Sequence, residues 1–283
     1  MHTIVLQSPG AILCQLGPVT VRWYGVMIAF GFVCANYFAS RLAKRYGIDA
    51  EKLTNLTLIS FIAGIIGARL YYVALNWSEY LSHPADILAT WLGGMSIHGG
   101  IIGGFIAGWL YSHYTKMSKR SIADIVGAIL PLGQAIGRWG NFFNSEAFGG
   151  PVPEGFPLAV FIPDASRPAQ YHDVSLFHAT FLYESIWDLG IFALIYFYLG
   201  KKLQAIPGIC FLVYLALYNI GRLLIEPMRT DSIMAGQTPV PIIASAIMLA
   251  ISIALVPVLM QYAKKHPRNA PAAPQASDSL PVE

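Results

Sequence analysis

Charge is scarce in this chain. Of its 283 residues only 12% are Asp, Glu, Lys or Arg, against 55% apolar, and the mean hydropathy is +0.55. A soluble domain carries about 25% charged residues. So little polar surface would not keep the chain dissolved, and the bilayer is its expected solvent. The net charge of +3 is too small to mark a nucleic-acid binder. Cysteine is equally sparse. Cys14, Cys34 and Cys210 lie far apart with no CxxC pair, and read as small apolar core residues in helices rather than a metal site or a disulfide. GxSxG, HExxH and Walker patterns are missing, as is any Asp/Glu/His cluster with metal spacing. Neither a metal nor another cofactor is expected. The start of the chain has no basic n-region and contains Pro9-Gly10, so it does not read as a cleavable signal peptide.

What the chain has instead is long apolar runs. A helix needs about 20 apolar residues to cross the hydrocarbon core. Seven runs qualify, near 19–42, 53–75, 94–115, 122–140, 177–199, 205–226 and 239–262, with 84–93 as a short re-entrant piece before the third. The expected fold is an all-α integral membrane protein of about seven transmembrane helices. Residues 1–263 form one transmembrane domain, in which the long Pro-rich loop 145–176 is an extracytoplasmic cap. Residues 266–283 of the segment after it, 264–283, are rich in Pro and Ala and read as a disordered cytoplasmic tail.

The eighteen cations sort into two groups. Arg41, Lys44, Arg45, Lys52, Lys116, Lys119, Arg120, Lys201, Lys202, Lys264, Lys265 and Arg268 follow spans one, three, five and seven. The positive-inside rule makes that side cytoplasmic, which puts the N-terminus outside and the C-terminus inside. The other six are all arginine: Arg22, Arg69, Arg138, Arg167, Arg222 and Arg229. They lie in spans two, four and six or on the outer side. An arginine near the bilayer centre costs roughly 2.5–3.5 kcal/mol on insertion scales, so it must be paired, snorkelled or placed against water. One structural explanation is an i,i+4 bridge from Arg222 to Glu226. The other is ligand binding, since the guanidinium fork suits phosphate and carboxylate. Arg69 and Arg167 read as structural.

Three segments concentrate polar groups. Gly93-Gly94-Met95-Ser96-Ile97-His98-Gly99-Gly100 opens the third span. Its glycines at Gly99/Gly103 and Gly100/Gly104/Gly108 suit close helix packing, while Gly93-Gly94 break the chain and expose amide donors at the helix start. Gly137-Arg138-Trp139-Gly140-Asn141-Phe142-Phe143-Asn144-Ser145-Glu146, followed by Phe148-Gly149-Gly150, leaves the fourth span. Tyr218, Arg222, Glu226 and Arg229 are spaced to share one helix face, which Pro227 kinks or ends. The inventory is cations, a histidine and carboxylates, with no nucleophile. The nucleophile then belongs to a substrate, and the arginines bind an anionic leaving group.

At these residues the chain closely resembles the prolipoprotein diacylglyceryl transferase family of the bacterial inner membrane. The markers span nearly the whole chain: Arg22-Trp23-Tyr24-Gly25, the Gly-Gly-Met-Ser-Ile-His-Gly-Gly run, Gly-Arg-Trp-Gly-Asn-Phe-Phe-Asn, His178 with Leu182-Tyr183-Glu184, and Arg222 through Arg229. One departure is His178-Ala179-Thr180-Phe181, where the family usually reads His-Pro-Thr/Ser-Gln. The resemblance implies phosphatidylglycerol as donor, the lipobox cysteine of a prolipoprotein signal peptide as acceptor, a thioether product and glycerol 1-phosphate as leaving group. It implies a multi-pass inner-membrane enzyme of lipoprotein maturation that acts among membrane lipid and needs no cofactor. Arg138 and Arg222 would stabilise the departing phosphate, and His98 would take the thiol proton. Tyr24, Asn141 and Glu146 would orient the donor, Glu226 and Arg229 would form a gate or brace, and Asn144, Gly149 and Tyr218 complete the expected substrate-binding set. An anionic-lipid transporter or flippase would use the same arginines without bond breaking. It predicts lipid movement with no mass change on a cysteine peptide.

Overall fold

A computed structural model describes residues 3–265 except 18, 91, 92 and 237. Seven long helices dominate it: α1 (Trp23–Arg45), α2 (Ala50–Leu75), α4 (Ile97–Tyr114), α5 (Lys119–Asn144), α6 (Thr180–Ala193), α8 (Ile209–Ile225) and α9 (Val240–Lys265). Short helices α3 (Trp77–Ser82) and α7 (Gly200–Lys202) lie between them, and a π-helical stretch, Leu194–Leu199, joins α6 to α7. Among the described residues five segments are long and apolar enough to cross a membrane: Trp23–Arg45, Ala50–Leu75, Thr180–Lys202, Ile209–Met228 and Val240–Lys265. α4 carries His98 and His113 near its ends and five glycines, and α5 carries Lys119, Arg120, Asp124 and Arg138, with Asp124 buried.

The all-α expectation needs correction. Seven short strands occur among the described residues: β1 (Ile4–Gln7), β2 (Ile12–Leu16), β3 (Val19–Arg22), β4 (Leu158–Phe161), β5 (Leu176–Phe177), β6 (Met234–Ala235) and β7 (Thr238–Pro239). The first span therefore starts at Trp23, not at 19. The β-branched run Val19-Thr20-Val21 favours a strand, and it pairs antiparallel with β2 across a turn that places Gly17 at φ 60°. Cys14 sits exposed on β2, so the core-helix reading of the cysteines holds for buried Cys210 and not for Cys14. The fifth helix likewise starts at Thr180, because Leu176–Phe177 pairs with β4. The expected tail 266–283 lies outside the described residues, while Lys264 and Lys265 close α9.

Between helices in lipid, close packing and hydrogen bonds supply the attraction. α5 lies at the centre, packed on α1, α6 and α8, while α4 packs on α2 and α9 on α8. The core joins Leu42, Ile125, Ile129, Phe192, Ile195 and Cys210. Buried Asp124 on α5 caps α8: its Oδ2 accepts from Gly208 N at 2.8 Å and its Oδ1 from Cys210 N at 2.9 Å. An acid at a helix N-terminus satisfies orphan donors and meets the positive end of the dipole. The α2–α4 contact is nearly backbone on backbone. A Cβ on Gly67 would come 2.5 Å from Gly99 O and 3.1 Å from Gly103 Cα.

Two arginines have purely internal work. Buried Arg69 donates to Ile87 O (2.9 Å), Gly93 O (2.7 Å), Gly94 O (2.8 Å) and Asp86 O, fixing the segment that leads into α4. Arg167 donates to Ile162 O (2.8 Å) and His172 O (2.7 Å), tying down the loop that follows α5. That loop is folded. β4 pairs parallel with β1 and antiparallel with β5. Phe142, Phe148, Val160, Ile162, Phe177 and Phe181 form a second apolar cluster beneath them.

Candidate functional site

The site grows from the C-terminal end of α5. This helix runs past the expected boundary at 140, so Asn141 and Asn144 stand in its last turn. Ser145 at φ 53° ends it, and Glu146 N bonds Asn141 O at 3.0 Å. The chain thus doubles back. Asn141 Nδ2 donates to Glu146 Oε1 at 2.8 Å, and Asn144 Nδ2 reaches the same oxygen at 3.4 Å. Tyr24, in the first turn of α1, lays its ring against Gly140, where a Cβ would stand 2.7 Å from Tyr24 Cδ2. It lies within electrostatic range of Glu146 and Arg138. Trp23 stacks on Phe143 at 4.6 Å between centroids, which locks the start of α1 to the end of α5.

Three backbone segments meet just beyond. Gly149 N donates to His178 O (2.9 Å), His178 N to Gly150 O (3.0 Å) and Gly150 N to Met228 O (2.9 Å). Gly149 also forms an antiparallel bridge with Arg229. A side chain does not fit there: a Cβ on Gly149 would be 2.8 Å from His178 Cβ, 3.0 Å from Thr180 Cγ2 and 3.1 Å from Met228 O. This glycine lets the ends of α5 and α8 and the start of α6 come together.

Their charged side chains converge on one carboxylate. Glu184, in the second turn of α6, pairs through Oε2 with Arg138 and through Oε1 with Arg222 at 3.0 Å and Arg229 at 3.4 Å. Arg222 also pairs with Glu226 one turn on, and Glu226 accepts from Ser232 Oγ at 2.8 Å. Pro227 ends the regular helix, and Glu226–Met228 continue as a 3-10 turn that swings Arg229 back. Arg229 grips Asp231 with Nε at 3.0 Å and Nη2 at 2.9 Å, the two-point geometry of a strong pair. Side-chain exposures of 4% for Glu184 and 1% for Glu226, against 12–17% for the three arginines, put the acids deeper than the guanidiniums.

Within the ion pairs the formal charges of Arg138, Arg222, Arg229, Glu184, Glu226 and Asp231 cancel, and buried Asp188 on α6 adds a further acid within electrostatic range of Arg138 and Arg222. Donor capacity is not used up. A guanidinium has five N–H groups. Arg138 makes its ion pair through Nη2, to Glu184 and to no other carboxylate among the described residues, which leaves donors for a ligand. Acids that hold arginines in place while part of each fork stays open are the arrangement that preorganised stabilisation of an anion requires.

The other expected residues lie apart. His98 is exposed in the first turn of α4, with its ring 6.2 Å from that of Tyr71. Among the described residues no hydrogen bond or ion pair joins it to the arginine cluster. Tyr218 is half-buried one turn before Arg222 and packs on Tyr214 at 5.9 Å. Sequence reasoning took Glu184 only as a marker, beside Leu182-Tyr183, and missed Asp231 altogether. A signal was there for Glu184: an acid inside an apolar run is as expensive as an arginine, and counting both would have paired them. His178 was seen only as a marker. Its ring lies 3.3 Å from Tyr183 Oη through Nδ1, and burial pushes its pKa below the usual histidine value.

The comparisons with known proteins agree with these motifs. The family model described as prolipoprotein diacylglyceryl transferase matches residues 11–258. A protein of Trichormus variabilis named phosphatidylglycerol–prolipoprotein diacylglyceryl transferase is 44% identical over 264 residues, 92% of each chain. The protein of that name from Acaryochloris marina is 41% identical over 277 residues, 98% of this chain and 99% of its own. The one from Thermotoga maritima is 44% identical over 237 residues, 83% and 80% respectively. With its motifs in order and nearly its full length matched, this chain belongs to the prolipoprotein diacylglyceryl transferase family.

Proposed function

We propose that this chain transfers the diacylglyceryl group of phosphatidylglycerol to the lipobox cysteine of a prolipoprotein, releasing glycerol 1-phosphate. It works as a seven-span protein of the bacterial inner membrane, with the N-terminus and loop 145–176 outside and the C-terminus in the cytoplasm. The observation that carries the reading is the buried Glu184 with three arginines around it, one of which keeps unused donors.

In the reaction the cysteine sulfur attacks the glycerol carbon that bears the phosphate ester. The C–S bond forms as the C–O bond breaks, and the electron pair leaves with the phosphate. Negative charge grows on that phosphate in a place poor in water, where fixed donors are worth most. Arg138 and Arg222 meet it. Arg229 and Glu226 brace the cluster from the end of α8. Asn141, Asn144 and Glu146, with Tyr24, orient the donor's polar head. Gly149 serves the donor indirectly, by letting the chain segments that carry these side chains close on one another, and Tyr218 lines the same helix face more deeply. His98 accepts the thiol proton, because the thiolate is the attacking species.

The deciding experiment incubates the purified protein with phosphatidylglycerol and a lipobox peptide and looks for the diacylglyceryl mass on cysteine. Lipid movement without that mass would point to a flippase instead. Arg138→Ala should cost at least about 10²–10³ in rate, the loss typical of one preorganised donor. A variant with wild-type turnover would overturn the leaving-group role.

A further inference from the structure

Glu184 is the hub of the cluster, and its position is unusual for a counter-ion. Three guanidiniums from two helices and the turn beyond α8 point at its two oxygens. Arg222 keeps Glu226, and Arg229 keeps Asp231, if Glu184 is lost. Arg138 makes no ion pair with another carboxylate among the described residues, and the next acid within its electrostatic range is buried Asp188, one turn on along α6. Glu184 lies on α6, which carries none of the three arginines, and it is held rigidly there. Its neighbour Ser185 donates to Ala135 O at 2.9 Å, and Thr180, one turn earlier, to Ala147 O at 2.6 Å.

We infer that Glu184 is the positioning residue of this site: it aims the Arg138, Arg222 and Arg229 forks from behind and shares their donors with the phosphate ester that enters. Two effects of opposite sign follow. The carboxylate competes with the phosphate for guanidinium donors, so removing its charge should tighten anion binding. It also fixes the direction of Arg138, and a misdirected donor costs turnover. A misplacement of about 1 Å can cost on the order of 10²-fold. A side chain that merely stabilised the fold would not separate these effects, since its loss would weaken binding and turnover together.

The inference rests on the proposed transferase reading for its rate measurement only. Full-length protein in phosphatidylglycerol-containing nanodiscs, with a lipobox peptide, supplies kcat and the KM for the lipid. Glycerol 1-phosphate binding, followed by calorimetry in phosphatidylcholine nanodiscs, supplies an affinity that needs no turnover. For Glu184→Gln the expected result is a kcat lower by about 10- to 100-fold, an unchanged or lower KM, and several-fold tighter glycerol 1-phosphate binding. Glu184→Asp, which keeps the charge on a shorter stem, should recover at least a fifth of the lost turnover and bind glycerol 1-phosphate as the wild type does. Turnover of Glu184→Gln within twofold of wild type, or weaker glycerol 1-phosphate binding, would overturn the inference. If Glu184→Gln does not fold, Glu184→Asp decides: a kcat no better than that of Arg138→Ala overturns it, and a clear excess supports it. Should the wild type form no thioether, the transferase reading fails alone, and the glycerol 1-phosphate comparison still judges Glu184.

Discussion

Gly149→Ala adds a single methyl at the junction of three chain segments. Gly149 is not in the left-handed region, so the backbone conformation itself suits alanine and the effect is purely steric. The new Cβ would stand 2.8 Å from His178 Cβ, 3.0 Å from Thr180 Cγ2 and 3.1 Å from Met228 O. All three lie inside van der Waals contact, and none can step aside cheaply. Met228 O already accepts from Gly150 N at 2.9 Å, and Thr180 Oγ1 is bound to Ala147 O at 2.6 Å. Overpacking of this kind costs about 1–3 kcal/mol. The relief available is to part Gly149 from Arg229 or from His178, which moves Arg229 relative to Arg138. If the strain appears in the transition state, thioether formation slows by about 5- to 150-fold. If it appears in the ground state, the melting temperature falls instead. Gly150→Ala is the matched control, because nothing lies within 4 Å of its Cβ. The assay is the rate of peptide lipidation with a thermal melt of the same sample. Should Gly149→Ala match the wild type in both, within twofold in rate, the reasoning about this junction is refuted.

Other outcomes follow from the same geometry. Gly67→Ala should destabilise the α2–α4 contact by about 1–3 kcal/mol, because its Cβ meets the backbone of Gly99 at 2.5 Å; tryptophan fluorescence on heating reads the change, and an unaltered melt contradicts it. The Asp164 carboxyl is held below its ordinary value of 3.8, first by the hydrogen bond from His172. A depressed folded pKa means the contact favours the folded loop above the unfolded value and is lost as pH falls through the folded one. Proteolytic cutting near 163–173 should therefore rise below about pH 4, and Asp164→Asn should be cut at neutral pH as the wild type is in acid. If His98 takes the thiol proton, His98→Gln removes the acidic limb of the pH–rate profile; an intact limb in that variant assigns the proton to another group.

Much of the helical layout was legible in the sequence, and for a plain reason. Spans are set by the length of apolar runs, and the observed helices lie within a few residues of those runs. The ends were less legible. Residues 19–22 and 176–177 became strands because the pairing partners, 12–16 and 158–161, lie elsewhere in the chain. The site was legible as a list of residue types. Arg138, Asn141, Glu146, Arg222 and Arg229 announce themselves by standing in or beside apolar sequence, where polar groups are expensive. The partners of each were not. Sequence spacing found the i,i+4 pair of Arg222 and Glu226, since one helix defines it, but could not find Glu184.

Composition and hydropathy by themselves determined that this is a membrane protein, where its helices run and which cations are costly. These depend only on transfer of local segments into lipid, which each segment decides alone. The tertiary structure decided that three arginines share one buried acid, that Arg69 is consumed by backbone carbonyls, and that His98 stands apart from the cluster. Those are facts about which helices adjoin. They follow from close packing at glycines such as Gly67 and Gly149, and from the requirement that every buried charge find an opposite one, often from a different helix.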